Sequence, residues 1–363
     1  MLLSTFRHIK GIGKKTESYL WEKGITNWDK YLKLNGKQLS LFNDDFINPI
    51  ESSIQAYEDG NTGFFAPDLP RTEYYRIALT YPKETLFLDI ETTGLSLYYD
   101  QITLVGWSIG QKYGVSLKDQ DASGLLDALN SAKAIVTFNG TLFDLKFLKK
   151  TFPTIYMPPI HIDLRFFAKR AGLSGGQKAI EPQVGYKRPK LVKGMEGESA
   201  PILWYKYRRG DKAALKELVT YNHADIEGMK WVFDYALKKI YEIDKIPSEI
   251  RSKTNFSKFK SKIDWVKNEP KNGNPYRVYL AEYSGHLKPL ITFNELNEIV
   301  PLSDETFIGI DLVSSEDRES GYCILTGNKA KTFRIKTDEE MIHFAQDAGA
   351  ALISIDSYSA QIN

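Results

Sequence analysis

The chain has 363 residues, which at roughly 150 residues per domain implies two or three domains, and its 42% hydrophobic and 26% charged content is ordinary for a water-soluble globular protein. Its 48 basic and 46 acidic residues leave a net charge of +2, so bulk charge gives no argument for a nucleic-acid partner; only the placement of charge can. The single cysteine, Cys323, excludes an intrachain disulfide framework and a cysteine-rich zinc site, and with no cleavable signal pattern or bilayer-length apolar run a cytoplasmic protein without membrane contact is expected.

Residues 1–42 read as a small helical module, broken at Gly11-Ile12-Gly13 and at Lys23-Gly24-Ile25-Thr26. Phe6, Ile9, Ile12, Leu20, Trp21, Ile25, Trp28, Tyr31 and Leu32 are spaced to close a minimal core. Residues 43–83, with Gly60-Asn61-Thr62-Gly63, Pro67, Pro70 and Pro82, read as a connecting arm that begins as a helix and ends irregularly. From 84 to 245 the pattern becomes a domain of strands, then helices. Strands at 86–90, 102–109 and 113–117 follow in hairpin succession, then a helix at 125–129, a strand at 134–138 and a helix at 142–150. This succession describes an α/β mixed sheet flanked by helices. A long helix follows from 213 to about 239, with Leu215, Leu218, Val219, Met229, Val232, Phe233 and Leu237 at helical spacing.

Residues 246–302 form a basic linker. Within it, lysines interleaved with Phe256, Phe259, Trp265, Tyr276, Tyr279 and Tyr283 suit either a single-strand binding surface or a solvated connection. Residues 303–363 restart the β-β-β-α-β order, with strands at 307–312, 322–326, 331–335 and 351–355 and a helix at 338–348, as an internal structural repeat. No helices follow to cover this sheet, so the segment is expected to be incomplete and without its own activity.

The residues that carry chemistry begin at Leu86-Phe87-Leu88-Asp89-Ile90-Glu91-Thr92-Thr93-Gly94-Leu95. In an extended strand Asp89 and Glu91 share a face. Two anions so close repel, and divalent cations relieve that repulsion; the alternative is a strand end with solvated acids. Asp144 falls in the first turn of a helix after a buried strand, where the alternative is an acid that merely complements the helix dipole. Tyr221 and Asp225, four apart on the long helix, share a face. These acids can converge on two divalent ions about 3.5–4 Å apart, the arrangement that clamps attacking and leaving oxygens in phosphoryl transfer. Oxygen-only ligands favour Mg2+ or Mn2+ over zinc.

Asp89-Ile90-Glu91-Thr92-Thr93-Gly94-Leu95, Asn139-Gly140 before Phe143-Asp144, and Tyr221 four before Asp225 resemble the three motifs of the DEDD 3′–5′ exonucleases in their tyrosine subclass. His8-Ile9-Lys10-Gly11-Ile12-Gly13, Ile160-His161-Ile162-Asp163-Leu164, Ile180-Glu181 before Gly185-Tyr186-Lys187-Arg188, and Trp204-Tyr205 with Tyr207 extend the resemblance to the YprB-type branch, across close to two thirds of the chain. The resemblance implies an RNase H-like fold with a helix-hairpin-helix-like start and a partial second RNase H-like segment. It implies that Asp89, Glu91, Asp144 and Asp225 bind the two metals and that Tyr221 orients the attacking water. An ordinary tyrosine pKa near 10 suits positioning better than full base duty. His223 is the rival, although its offset from Asp225 points it off the acid-bearing face.

Asn139, His161, Asp163 and His223 are candidates to support the metal ligands. Thr92, Lys187, Arg188, Arg208 and Arg209 are candidate nucleic-acid contacts, or a solvated rim. Gly11 and Gly13 are candidate backbone-phosphate contacts, or glycines that only permit a sharp turn. The expected activity is a metal-dependent 3′–5′ exonuclease acting on a single-stranded DNA or RNA end. A non-catalytic nucleic-acid-binding or repair scaffold and a structure-selective endonuclease are the alternatives.

Overall fold

A computed structural model of the protein describes residues 1–34, 46–110, 112–118, 120–254, 259, 306–311, 320–326, 329–347 and 352–356. The chain divides into two compact units, Met1–Leu287 and Lys288–Asn363. Apart from Phe259, the basic and aromatic residues of the linker beyond position 254 lie outside the described residues.

The first unit opens with α1 (Lys14–Glu22) and α2 (Trp28–Leu32), followed by α3 (Ile47–Glu58) and α4 (Tyr75–Thr80). Each apolar residue named for the small N-terminal core is buried except Leu32, which packs against the core from its edge. That core is not closed on itself. Glu17 of α1 accepts from Phe6 N–H at 2.8 Å and receives both terminal nitrogens of the buried Arg76 of α4, at 2.7 and 2.8 Å. On the same α4, the Tyr75 ring packs on Phe167 and Tyr241. The arm thus carries a short helix where irregular backbone is expected, and joins the N-terminal helices to the larger core. The amphipathic spacing showed which residues are buried but not what they are buried against.

The central sheet comprises β1 (Thr85–Thr92), β2 (Ile102–Ile109), β3 (Lys112–Leu117), β4 (Ala134–Thr137) and β5 (His161–Asp163), in the order β3-β2-β1-β4-β5. β1 runs antiparallel to β2 and parallel to β4, so the sheet is mixed as expected. Two helices flank the crossover, α5 (Ser123–Ser131) and α6 (Asp144–Thr151). Strand alternation on β1 sorts the two faces: Leu86, Leu88 and Ile90 join Leu125, Leu129, Phe147 and Leu148 in one core, while Phe87 joins the other. The strand β5 was not expected, being short and bounded by a histidine and an aspartate.

Four helices complete the unit's second layer: α7 (Leu164–Arg170), α8 (Gln177–Ile180), α9 (Ser199–Arg208) and α10 (Lys212–Ile243), with α11 (Ser248–Ser252) after them. Asp211 caps α10 by accepting from Ala213 and Ala214 N–H at 2.9 and 3.2 Å. Every residue from Leu218 to Lys230 of α10 is buried. Phe233 of this helix packs on Phe87 of β1, so α10 lies against the face that carries Asp89 and Glu91.

The second unit contains β6 (Thr306–Asp311), β7 (Ser320–Thr326), β8 (Lys329–Ile335), α12 (Asp338–Asp347) and β9 (Leu352–Asp356). Its strand order, β8-β7-β6-β9, repeats β3-β2-β1-β4 of the first unit. The parallel register of β6 and β9 sets Asp311 opposite Asp356. No helix among the described residues is long and apolar enough to cross a membrane.

Candidate metal centre

Asp89 and Glu91 of β1 and Asp225 of α10 each offer a carboxylate oxygen, and these oxygens lie within 4.8 Å of one another. Glu91 and Asp225 are buried and Asp89 is half-buried. The register with β2 shifts between Glu91 and Thr92, where Thr103 of β2 is passed over, the kind of irregularity found beside functional sites. Asp144 is buried at the first position of α6, where its Oδ1 accepts from Ile90 N–H at 3.2 Å. The sequence therefore delivers one acid from the start of α6, which follows β4, and two from the neighbouring β1, beneath a fourth on the covering helix.

The turn that presents Asp144 is held by Asp163. Its carboxylate accepts from Asn139 N–H at 2.8 Å, Thr141 N–H at 3.1 Å and Arg165 N–H at 3.1 Å. Asn139 adopts a left-handed φ of 66°, unusual for a residue with a side chain, and its Oδ1 accepts from Arg165 Nη1 at 2.7 Å. His161 bonds Thr137 Oγ1 through Nε2 at 2.8 Å, one strand over. Asn139, His161 and Asp163 thus shape the β4–α6 turn and its strand, and Asp163 also lifts the Asp144 pKa by its charge.

Hydrogen-bond donors surround Asp225 and Tyr221. Arg188 Nη2 donates to Asp225 Oδ1 at 2.5 Å, and its Nε and Nη2 donate to Glu181 at 2.6 and 2.7 Å. Gln177 Nε2 donates to the Asp225 carbonyl at 2.6 Å. Lys178 Nζ donates to Tyr221 OH at 2.7 Å and sits 4.8 Å above its ring. Arg188, grouped in the sequence with the phosphate-facing rim, is turned inward onto carboxylates. Lys187 and Arg209 are exposed, while the Arg208 guanidinium lies 5.8 Å from the Trp204 ring. Thr92 Oγ1 donates to the Gly94 carbonyl at 2.5 Å. Gly11 and Gly13 are exposed at the turn into α1, far down the chain from the acids.

Asn222 and Tyr113 are neighbours that the sequence did not single out. Asn222 Nδ2 donates to Asp89 Oδ2 at 2.9 Å and to Glu91 Oε1 at 3.3 Å, while Tyr113 OH donates to Asn222 Oδ1 at 3.0 Å. A usable signal existed: Asn222 is three before Asp225, so the two share a helix face. His223 points elsewhere, stacked on Tyr113 at 3.9 Å with Nε2 3.5 Å from Glu227, which pairs with the buried Lys230 at 2.6 Å.

Electrostatics follow from this crowding. Burial, then the charges of Asp225 and Glu91, push the Asp89 carboxyl well up, and burial with Asp225 does the same to Glu91. Asp144 is raised to about 7, chiefly by burial. Burial and the charges of Asp225, Glu91 and Asp89 also push the Tyr221 hydroxyl up. Carboxylates that resist ionisation where they stand fit a group of high positive charge, and a donor set made only of oxygens fits Mg2+ or Mn2+.

Residues 86–237 match the family model described as RNase_H superfamily. No curated protein matches the chain. Among solved structures, the Aedes aegypti Nibbler EXO domain aligns at 11% identity over 50% of this chain and 90% of its own, with a TM-score of 0.35. Escherichia coli RNase D, an exoribonuclease involved in structured RNA processing, aligns at 16% identity over 50% of this chain and 46% of its own, with a TM-score of 0.34. Brucella melitensis NrnC with bound Mg2+ aligns at 17% identity over 48% of this chain and 82% of its own, with a TM-score of 0.34. With its mixed sheet, flanking helices and buried acids, the span 86–237 is an RNase H-like domain.

Proposed function

We propose that this domain is a metal-dependent 3′–5′ exonuclease acting on single-stranded DNA or RNA. The observation that carries the reading is the meeting of Asp89, Glu91 and Asp225 within 4.8 Å, with Asp144 close enough to raise the Asp89 and Glu91 pKa values. Asp89, Glu91, Asp144 and Asp225 would hold two Mg2+ or Mn2+ ions. Bound there, the ions supply Lewis-acid stabilisation of phosphoryl transfer and a more acidic water.

The chain's own groups then have separable tasks. Tyr221 keeps its proton, because its pKa is pushed up rather than down. Since Lys178 donates to the Tyr221 oxygen, the hydroxyl hydrogen is left to donate elsewhere. Tyr221 therefore orients the attacking water by a hydrogen bond instead of removing its proton. His223, spent on Tyr113 and Glu227, takes no part in the reaction. Exposed Lys187 and Arg209 bind phosphates in a salt-sensitive way.

One observation favours the rival, non-catalytic scaffold: Arg188 already neutralises Asp225. The two readings separate in one experiment. Oligonucleotides labelled at the 5′ or 3′ end, as DNA and as RNA, are incubated with the protein and Mg2+ or Mn2+. Shortening from the 3′ end, lost in Asp89→Asn and Asp225→Asn, supports the exonuclease; intact strands under every condition, with retained binding, support the scaffold.

A further inference from the structure

The pair of acids on β1 does not stand alone. In the antiparallel register Asp89 lies directly opposite Gly106 of β2, and directly opposite residues of an antiparallel pair share a face. With no side chain at Gly106, the space beside Asp89 is filled by the carboxamide of Asn222; a Cβ at Gly106 would overlap Asn222 Oδ1. The amide is oriented by chemistry. Its NH2 faces the Asp89 carbonyl at 3.3 Å, Asp89 Oδ2 at 2.9 Å and Glu91 Oε1 at 3.3 Å, all of which accept when the two acids are ionised, as they are around a cation. Its oxygen accepts from Tyr113 OH at 3.0 Å, and the Tyr113 ring is in turn stacked on His223. Asn222 is fully buried.

One oxygen of Asp89 and one of Glu91 are therefore capped by the same amide, which leaves the opposite oxygens for a cation. We infer that Asn222 is the positioning residue of the metal centre: it holds the two strand acids as a preformed seat for a divalent ion, with Tyr113 fixing the amide and Gly106 making room for it. The inference rests on the divalent-cation site proposed for these acids. Partners of this kind fix ligand orientation, and their loss weakens metal binding by about 10–100-fold.

The test is calorimetric titration of the full chain with Mn2+, alongside thermal unfolding in EDTA to confirm folding. Asn222→Ala weakens Mn2+ binding by about 10-fold or more, and Tyr113→Phe weakens it by a smaller factor with the fold retained. Gly106→Ala displaces the amide from outside and reproduces the loss. In the double variant G106A/N222A the added methyl meets no amide, so Gly106→Ala costs no further affinity there, a coupling that general destabilisation does not produce. Mn2+ affinity in folded N222A within twofold of wild type overturns the inference, as does a Gly106→Ala loss of equal size with and without Asn222. If the wild-type chain binds no Mn2+, this inference and the nuclease reading fall together; if it binds and N222A binds equally well, only this inference falls.

Discussion

Replacing Arg188 by methionine removes the positive charge that Asp225 and Glu181 share. The guanidinium lies 2.5 Å from Asp225 and 2.6 Å from Glu181, with side-chain exposures of 9% for Arg188, 11% for Asp225 and 3% for Glu181. Breaking a buried ion pair from one side costs about 3–5 kcal/mol, because the abandoned charge stays buried. At about 2–4 °C per kcal/mol for a unit of this size, the melting temperature in EDTA falls by roughly 10 °C. Glu181 sets the pH dependence: burial already raises its pKa and Arg188 holds it back, so without the guanidinium it rises further. A carboxylate whose folded pKa exceeds its unfolded value loses stability as pH rises through the folded value, so the loss grows as pH rises and shrinks as pH falls and Glu181 takes up a proton. Adding Mn2+ restores part of it, since the ion replaces the lost charge beside Asp225 but not beside Glu181. Thermal unfolding by circular dichroism, with exposed Lys187→Met as control, measures each arm. A shift under about 2 °C in EDTA at pH above neutral, or a loss that grows as pH falls, contradicts this.

Asp163→Ala releases two backbone N–H groups of the β4–α6 turn, Asn139 and Thr141, and uncaps α7 at Arg165; Mn2+ affinity drops about 10-fold, and unchanged affinity in a folded variant contradicts the positioning role. Tyr221→Phe lowers kcat about 100-fold, as expected for a misplaced nucleophile, while leaving Mn2+ affinity near wild type, whereas His223→Gln retains kcat within a few-fold; the reverse ranking in oligonucleotide digestion transfers the water-orienting role to the histidine. In the metal-free protein Asp144 titrates at about 7, and Asp89 and Glu91 are also raised. Above the ordinary carboxylate range the folded state therefore holds more protons than the unfolded chain, so metal-free stability declines as pH rises through about 7. Mn2+ must displace those protons, and its affinity rises over the same interval; calorimetry in buffers of different ionisation enthalpy, showing no proton release near pH 6, contradicts this.

Period-two spacing puts Asp89 and Glu91 on one face, but solvated acids at a strand end read the same way. Asp144 at a helix start and Asp225 on a helix face have ordinary explanations too, so it was the resemblance of the three motifs together that singled out the four acids. What the sequence hid was long-range. Arg188 reads as one of several basic residues near Lys187 and Arg208, and only the packing of its segment against α10 turns it onto Asp225. Asn222 reads as an ordinary polar residue between Tyr221 and His223; its meaning depends on a bare Gly106 on a strand more than a hundred residues earlier. The strand β5 escaped because three residues carry too little periodicity to announce a strand. The N-terminal helices and the following arm read as separate pieces because amphipathic spacing reports burial but not the partner, here the Glu17–Arg76 pair and the Tyr75 contacts.

If Asp89, Glu91 and Asp225 seat divalent ions, anomalous diffraction from crystals of the full chain soaked in Mn2+ shows manganese peaks within coordination distance of these carboxylates and Asp144, absent from Asp89→Asn crystals. Ordered acids with no anomalous peak among them at millimolar Mn2+ would contradict that assignment.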